Sequence, residues 1–232
     1  MTHEPATRLA TESTLNQRQG SLVGSWDSAD SVAAQIGGSW QFDGNTEQDQ
    51  ITASAYEKAD NTITWSAWVR LETGSPDYAG LFYDYGGINF DNAHNRGVDN
   101  EVRLAANSFW QVQTGLAVQE NGWSYVALSM NGNANNETTL YVGNGGTLQS
   151  YDNNSTFAAG FASTLRICNQ TCCGPTRFFV GRIDEARFAS VALSADWITT
   201  EYNNQYDPTS FYTVGSEVAG GGTAVVLQIS QA

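Results

Sequence analysis

The stretch that decides the fold is the run Ile63-Thr64-Trp65-Ser66-Ala67-Trp68-Val69-Arg70-Leu71. Its odd-numbered positions are all apolar and its even-numbered positions are mostly polar, which is the period of a β-strand with one face on a hydrophobic core. Trp68 is the exception, because it puts an aromatic ring on the polar face. The run therefore predicts a strand with Trp65 in an inter-sheet core and Trp68 on the opposite face.

Short runs of the same kind recur along the chain, separated by Gly- and Asn-rich turns at fairly even spacing. Such spacing favours an antiparallel sandwich over a parallel α/β sheet. Residues 1–24 are polar and are predicted to be irregular, and the one predicted helix runs from Ala195 to about Asn204, with Ser194 as its N-cap. The other predicted strands are residues 39–42, 50–53, 81–83, 101–105, 123–130, 139–142, 164–167, 178–180 and 183–188.

Length and composition predict one domain. The chain has 232 residues, 41% of them hydrophobic, with 23 glycines against 4 prolines. This is enough to bury one sizeable core, and all-β sandwiches often reach this size as single domains. We expect a domain over residues 1–215, a Gly-rich hinge at 216–222 and a strand-like tail at 223–232, which pairs with an edge of its own sandwich or with another copy of the chain.

Charge narrows the choice of partners. The chain carries 24 acidic and 10 basic residues, which gives a net charge of −14. Phosphate backbones and anionic membranes would be repelled, so we expect no nucleic-acid partner. No stretch approaches the roughly 18 to 20 apolar residues of a membrane span, so no membrane insertion is expected. The N-terminus lacks a signal-peptide pattern, so any export signal is expected to have been removed or to lie upstream.

Three cysteines, Cys168, Cys172 and Cys173, lie within six residues of one another. Adjacent cysteines bridge each other only in a strained ring, so we predict a disulfide from Cys168 to either Cys172 or Cys173. Such a short loop stabilises a fold modestly, so its expected role is to hold a surface feature in place.

A candidate ligand region extends from residue 78 to residue 110. It mixes aromatic rings with carboxylates, amides and an arginine, which is the mixture that sugar sites use for stacking and for hydrogen bonds to hydroxyls. The alternative for each residue by itself is a role in the core or in a turn. The candidate ligand-binding residues are Tyr83, Tyr85, Asp91, Asn92, His94, Arg103 and Trp110.

Several segments, in this order and spacing, resemble laminin-G-like and concanavalin A-like jelly rolls of bacterial and archaeal surface proteins. The resemblance extends over about residues 15 to 215, and its segments are residues 37–44, 63–69, 122–128, 179–188, 192–198 and 201–205. It implies an all-β fold, an antiparallel jelly-roll β-sandwich with one short C-terminal helix.

Asp184 is the candidate metal ligand. Strand alternation predicts that it shares a face with Ala186 and Phe188, and a buried carboxylate there needs a cation, an arginine or backbone N–H donors. The resemblance implies a structural Ca²⁺ held by Asp184 together with the early turn Asp43, Gly44 and Asn45. The alternative is a hydrogen-bonded aspartate that holds the turn without metal.

Catalysis is not expected. Asp184 and Glu185 are adjacent on one predicted strand and so point to opposite faces, whereas a glycosidase needs two carboxylates facing one site. With only His3 and His94 in the chain, no His-based arrangement emerges. The predicted function is a non-catalytic binding or adhesion module of an extracellular or cell-surface protein, which binds a glycan or a surface protein. The alternative is a structural subunit of a surface assembly.

Overall fold

The computed structural model describes residues 2–4, 9–11, 19–44, 47–53, 62–84, 88–93, 98–106, 109–131, 136–154, 164–170 and 177–211. The chain divides into two units, Met1–Leu193 and Ser194–Ala232. The first unit contains two antiparallel sheets that form a sandwich.

The strands follow one another in chain order through the first unit, and their bounds are β1 (Thr2–Glu4), β2 (Leu9–Thr11), β3 (Gln19–Val23), β4 (Ser31–Ala33), β5 (Gly38–Asp43), β6 (Gln50–Ala53), β7 (Thr62–Leu71), β8 (Ala79–Asp84), β9 (Ile88–Ala93), β10 (Glu101–Ala106), β11 (Phe109–Val112), β12 (Trp123–Asn131), β13 (Thr138–Asn144), β14 (Thr147–Asn153), β15 (Leu165–Ile167) and β16 (Val180–Ala189). A 3-10 helix, Ser28–Asp30, precedes β4. One sheet has nine strands in the order β1-β2-β3-β6-β15-β8-β9-β10-β11, and the other has seven in the order β14-β13-β12-β7-β16-β5-β4.

The alternation along β7 builds the core between the sheets. Trp65 is fully buried in the core cluster and stacks on Phe82 of β8 in the opposite sheet, with ring centroids 5.7 Å apart. Trp68 is also buried but lies on the other face, where its ring meets Tyr125 of β12 edge-on at 5.6 Å. The predicted split of the two tryptophans is therefore confirmed.

A β-bulge in β16 reverses the predicted face of Asp184. Asp184 pairs with Trp68 and so lies on the outer face of the sheet, whereas Phe188 pairs with Trp65 on the core side. The register shifts between these pairs, where Glu185 adopts a positive φ of 49°. An extra residue in one strand of a pair changes the parity of everything beyond it. The prediction that Asp184 shares a face with Phe188 is wrong for this reason.

The predicted strands correspond to β5, β6, β7, β8, β10, β12, β13, β15 and β16. The prediction of irregular structure over residues 1–24 is wrong, because β1, β2 and β3 form consecutive antiparallel pairs there. Four further strands, β4, β9, β11 and β14, have no clear apolar alternation and were not predicted. The predicted hinge and tail lie outside the described residues.

The second unit begins with the predicted helix, α1 (Ala195–Tyr206), which is followed by the short α2 (Pro208–Phe211). The Ser194 hydroxyl accepts a hydrogen bond from the Trp197 N–H at 3.3 Å, which satisfies one of the free donors at the helix start. Among the described residues, no helix has both the length and the apolar character needed to cross a membrane.

The bulge can be tested with two substitutions at Glu185, whose side chain pairs with Arg187. Both Glu185→Gly and Glu185→Ala remove that ion pair, but a left-handed backbone costs an L-residue about 1 to 2 kcal/mol more than glycine. We therefore expect the Gly variant to be more stable than the Ala variant in chemical denaturation, the reverse of the usual order in a strand. An Ala variant as stable as the Gly variant would contradict the bulge at this position.

Candidate functional site

Three aspartates meet where the 3-10 helix ends, β5 ends and β6 begins. Asp30 is the last residue of the 3-10 helix, Asp43 is the last residue of β5, and Asp49 directly precedes β6. One carboxylate oxygen from each lies within 4.8 Å of the other two. We call these three residues the acidic triad.

Local hydrogen bonds fix Asp30 in the triad. The Asp27 carboxylate caps the 3-10 helix by accepting the Ala29 N–H at 2.6 Å, and the Asp30 carboxylate accepts the Asp27 N–H at 2.7 Å. This reciprocal arrangement is a capping box, which sets both the start of the helix and the rotamer of its third residue.

Backbone donors and a glycine position Asp49. Its Oδ1 accepts the Ser25 N–H at 3.0 Å, and its Oδ2 accepts the Asp43 N–H at 3.4 Å. Gly24 has a φ of 120°, and a Cβ at this position would lie 2.2 Å from Asp49 Oδ1. The chain can pass this close to the carboxylate only because residue 24 has no side chain.

Burial makes the triad electrostatically unusual. Asp49 is 0% exposed. Its pKa is raised from 3.8 to about 6, chiefly by burial and also by the negative charges of Asp30 and Glu47, while the two backbone donors lower it. The cost of keeping several carboxylates charged side by side would be offset by a cation, and carboxylate oxygens are the ligands that hard divalent cations prefer. The donor set fits, so Asp30, Asp43 and Asp49 could hold a metal ion.

A carboxyl group with a raised pKa beside other carboxylates is also the arrangement of a glycosidase acid. A catalytic acid must reach the substrate, however. Asp49 has no exposed surface and Asp30 is buried as well. Of the three carboxylates, only that of Asp43 is partly exposed, so the triad offers a sugar chain little surface, whereas a small ion could reach it.

The structure places Asp184 away from the early turn with which it was predicted to share a metal ion. Asp43 belongs to the triad, but its partner on β16 is Val180, four residues before Asp184. At about 3.3 Å per residue, this separates the two positions by roughly 13 Å along the strand. The Asp184 carboxylate instead accepts the Ile36 N–H at 2.8 Å, and burial raises its pKa.

Gly44 of the predicted early turn closes a backbone turn. The Gly44 carbonyl accepts the Gln48 N–H at 2.8 Å, and Gly44 has a positive φ of 66°. Asn45 lies outside the described residues. Asp30 and Asp49 were not predicted as ligands, and the signal that could have found Asp49 is its carboxylate directly before the Gln50-Ile51 strand.

The predicted ligand region is brought together in part. Tyr83, Asp91, Asn92 and Arg103 lie on the adjacent strands β8, β9 and β10, where the register places Asp91 opposite Arg103 and Asn92 opposite Val102. Trp110 lies in β11, and Tyr85 and His94 are outside the described residues.

The side chains of Tyr83 and Arg103 are buried. The Arg103 Nε pairs with Glu101 Oε2 at 2.7 Å, and the other Glu101 oxygen accepts the Gly115 N–H at 2.7 Å. Arg103 is therefore part of a buried ion pair on β10, and through Glu101 this pair is connected to the backbone of Gly115.

Cys168 does not form the predicted disulfide. It is a free, fully buried thiol in the core cluster, and burial raises its pKa well above the usual 9.0, with a further contribution from the charge of Asp49. Cys172 and Cys173 lie outside the described residues.

A second candidate site crosses the outer face of the seven-stranded sheet. In the strand register, Trp123 of β12 is opposite Arg70 of β7, Arg70 is opposite Arg182 of β16, and Arg182 is opposite Gln41 of β5. All four residues are half-buried. We call them the cross-strand row. The alternation of β7, which puts Arg70 on the face of Trp68, is the sequence signal that could have found it.

Glu72 ties the row together at the end of β7. Its Oε1 lies 2.8 Å from Arg70 Nη1 and 3.1 Å from Arg182 Nε, and its Oε2 accepts the Gln41 side-chain amide at 3.1 Å. Arg182 Nε also donates to Gln41 Oε1 at 2.9 Å. Two guanidinium groups and an amide are therefore held around one carboxylate, and Trp123 lies next to Arg70 in the strand register.

This fold and its sequence pattern define a lectin-like jelly roll. Residues 43–199 match the Laminin_G_3 family, described as the "Concanavalin A-like lectin/glucanases superfamily", and the chain belongs to this family. No curated protein shows significant similarity to the chain.

Solved structures show the same fold at low sequence identity. Domain 4 of AbnA, a GH43 extracellular arabinanase from Geobacillus stearothermophilus in complex with arabinotriose, superposes with a TM-score of 0.59 and 14% identity, over 78% of this chain and 86% of that domain. Trypanosoma rangeli sialidase gives a TM-score of 0.57 and 14% identity, over 81% of this chain and 29% of the sialidase. The enzymatically active domain of the bacteriophage CBA120 tailspike protein 2 gives 0.55 and 11%, over 81% and 30%.

The raised pKa of Asp49 predicts a dependence of stability on pH when chelator keeps the protein free of metal. The folded state holds this proton up to about pH 6, whereas an unfolded aspartate releases it near 3.8. Stability from Asp49 is thus fully present below pH 3.8 and is lost as the pH rises through 6. Thermal melts between pH 4 and 7 should show a smaller loss for Asp49→Asn than for the parent.

The matched control is Asp99→Asn, which removes the same charge at an exposed position. It should leave the pH profile of the parent unchanged. Identical profiles for the parent and Asp49→Asn would contradict the assignment of the raised pKa to this residue.

Proposed function

We propose that the protein is a non-catalytic carbohydrate-binding module that serves adhesion in an extracellular surface protein. The observation that carries this proposal is the cross-strand row on the outer face of the seven-stranded sheet. Sugar sites combine an aromatic face for the apolar C–H patch with fixed polar groups for the hydroxyls. Trp123 supplies the indole, while Arg70, Arg182, Gln41 and Glu72 supply donors and acceptors at fixed distances.

The superfamily supports this proposal. Its members are described as lectins and glucanases, and the structurally similar AbnA domain was solved with arabinotriose. Because the identity to that domain is only 14%, its ligand supports a carbohydrate in general and identifies no particular sugar.

The arrangement of carboxylates supports a non-catalytic role. Glu72 is engaged by Arg70, Arg182 and Gln41, and a carboxylate whose oxygens are occupied by so many donors is poorly placed to attack a substrate. Asp30 and Asp49 of the triad are buried away from any sugar. Neither site therefore presents the pair of accessible carboxylates that glycoside hydrolysis uses.

For the acidic triad we infer a structural Ca²⁺. Asp30, Asp43 and Asp49 come from three separate segments, so a cation bound to them would fasten the 3-10 helix, the end of β5 and the start of β6 to one another. Calcium suits this set because it takes several oxygen ligands with flexible geometry.

Calcium should raise the melting temperature of the chelated protein at pH 7, because a ligand bound only by the folded state stabilises it. At 1 mM free calcium and a Kd near 10 μM, the gain would be about 2.7 kcal/mol. Asp49→Asn and Asp43→Asn should abolish the gain, whereas Asp184→Asn should retain it. A parent that melts at the same temperature with and without calcium would contradict the calcium assignment.

Glycan binding can be tested with insoluble polysaccharides and a glycan array. We expect the parent to be retained by at least one glycan. Trp123→Ala should weaken binding about 10-fold or more if stacking of a sugar on the indole contributes as much as stacking of a nucleobase on an aromatic ring, about 1 to 3 kcal/mol. The control is Trp197→Ala, which removes an indole that is 59% exposed on α1. A folded parent that binds no glycan, or equal losses in both variants, would refute the proposal.

A further inference from the structure

Arg70 and Arg182 stand directly opposite each other on neighbouring strands, at the centre of the cross-strand row. Like charges in directly opposed positions of a sheet are destabilising. The chain has only 10 basic residues among 232, so two arginines are not expected to stand opposite each other by chance. Because the pairing of like charges is destabilising, we expect that the two arginines have a function.

Among the described residues, one carboxylate pairs with the two arginines at the centre of the row. Glu72 serves both guanidinium groups through the same oxygen, Oε1, at 2.8 Å from Arg70 and 3.1 Å from Arg182. Two positive charges thus share one negative charge. A second carboxylate between the arginines would complete the pairing.

The two guanidinium groups retain donors for such a group. A guanidinium has five N–H donors. Within the described part of the chain, the contacts of Arg70 use Nε and Nη1, and those of Arg182 also use Nε and Nη1, which leaves each Nη2 available. The side chains are 26% and 27% exposed, so both can be reached from solvent while their hydrogen bonds hold them in place.

We propose that the cross-strand row binds an acidic glycan, with the carboxylate of a uronic-type sugar between Arg70 and Arg182. The inference rests on the proposed carbohydrate-binding function and names its ligand class. The forked guanidinium matches a carboxylate in geometry as well as charge. Trp123 then stacks on a neighbouring sugar on one side, and Gln41 meets hydroxyls on the other.

The dimensions of the row favour an oligosaccharide over a single sugar. Trp123 and Gln41 are separated by three strand spacings, about 14 to 15 Å at 4.7 to 4.9 Å each. A glycan bound here would lie across the strands with its acidic unit near the middle.

The net charge of the protein also limits which acidic glycans can bind. At a net charge of −14 the protein repels densely charged polyanions at long range, whereas the arginine pair acts only at contact distance. The preferred ligand is therefore a mostly neutral glycan with isolated acidic units.

The test compares two oligosaccharides by isothermal titration calorimetry with the full chain. One is neutral except for a single glucuronic acid, and the other is its carboxyl-reduced form, in which the carboxylate has become a hydroxymethyl group. The parent should bind the acidic form about 10-fold or more tightly, since charge-assisted hydrogen bonds are about twice as strong as neutral ones. Arg70→Gln and Arg182→Gln should lose this preference.

Two further variants separate recognition from folding. Arg187→Gln, which removes a 45%-exposed arginine from the same strand, should keep the preference. Glu72→Gln removes the carboxylate that competes for both arginines but keeps an acceptor, so it should bind the acidic form several-fold more tightly than the parent. A row with only a structural role would give no such gain.

The outcomes distinguish this inference from the function on which it rests. Equal binding of the two forms by the parent, or binding of neutral glycans alone, overturns the acidic-glycan inference and leaves carbohydrate binding intact. A parent that binds neither oligosaccharide and no glycan on the array overturns both. A Glu72→Gln variant that weakens the binding of the acidic form would also count against the inference.

Discussion

The rest of the structure depends on the two-residue period of β7. This strand lies in the middle of the seven-stranded sheet, between β12 and β16, so its side chains reach neighbours on both sides and on both faces. On one face Trp65 stacks on Phe82 and joins the two sheets. On the other face the same alternation presents Trp68 and then Arg70. Because backbone geometry imposes the period, the core and the outer surface are specified together.

The bulge at Glu185 allows β16 to contact the core along its whole length and to place Arg182 on the outer face. Before the bulge, Ile183 faces the core while Arg182 and Asp184 lie on the outer face opposite Arg70 and Trp68. After it, Phe188 returns to the core side opposite Trp65. A regular strand could not put both Ile183 and Phe188 on one face, because they are an odd number of residues apart. The bulge therefore supplies core contacts along the whole strand and still leaves Arg182 in the row.

These two features also explain what could be predicted from sequence. The strands with apolar alternation, the split of Trp65 and Trp68 and the Ser194 cap follow local rules, and all were predicted correctly. The face of Asp184 was predicted wrongly because the bulge depends on a positive φ at Glu185, a residue type that gives no local signal for it. The triad required knowledge of which distant segments meet, since Asp30, Asp43 and Asp49 are joined only by the closing of the sandwich. Asp43 was a candidate ligand through the family resemblance, whereas Asp30 and Asp49 were not candidates.

The two candidate sites are linked through β5. Gln41 and Asp43 are two residues apart on this strand and therefore on the same face of it, one in the cross-strand row and the other in the acidic triad. The Asp43 N–H also donates a hydrogen bond to the Asp49 carboxylate, which fixes the end of β5. This is the carboxylate whose pKa is raised by burial. A cation in the triad would offset the mutual repulsion of its carboxylates at this end of the strand. The proposed calcium would then act on glycan binding indirectly, by holding Gln41 in register with Arg182 while remaining out of contact with the sugar.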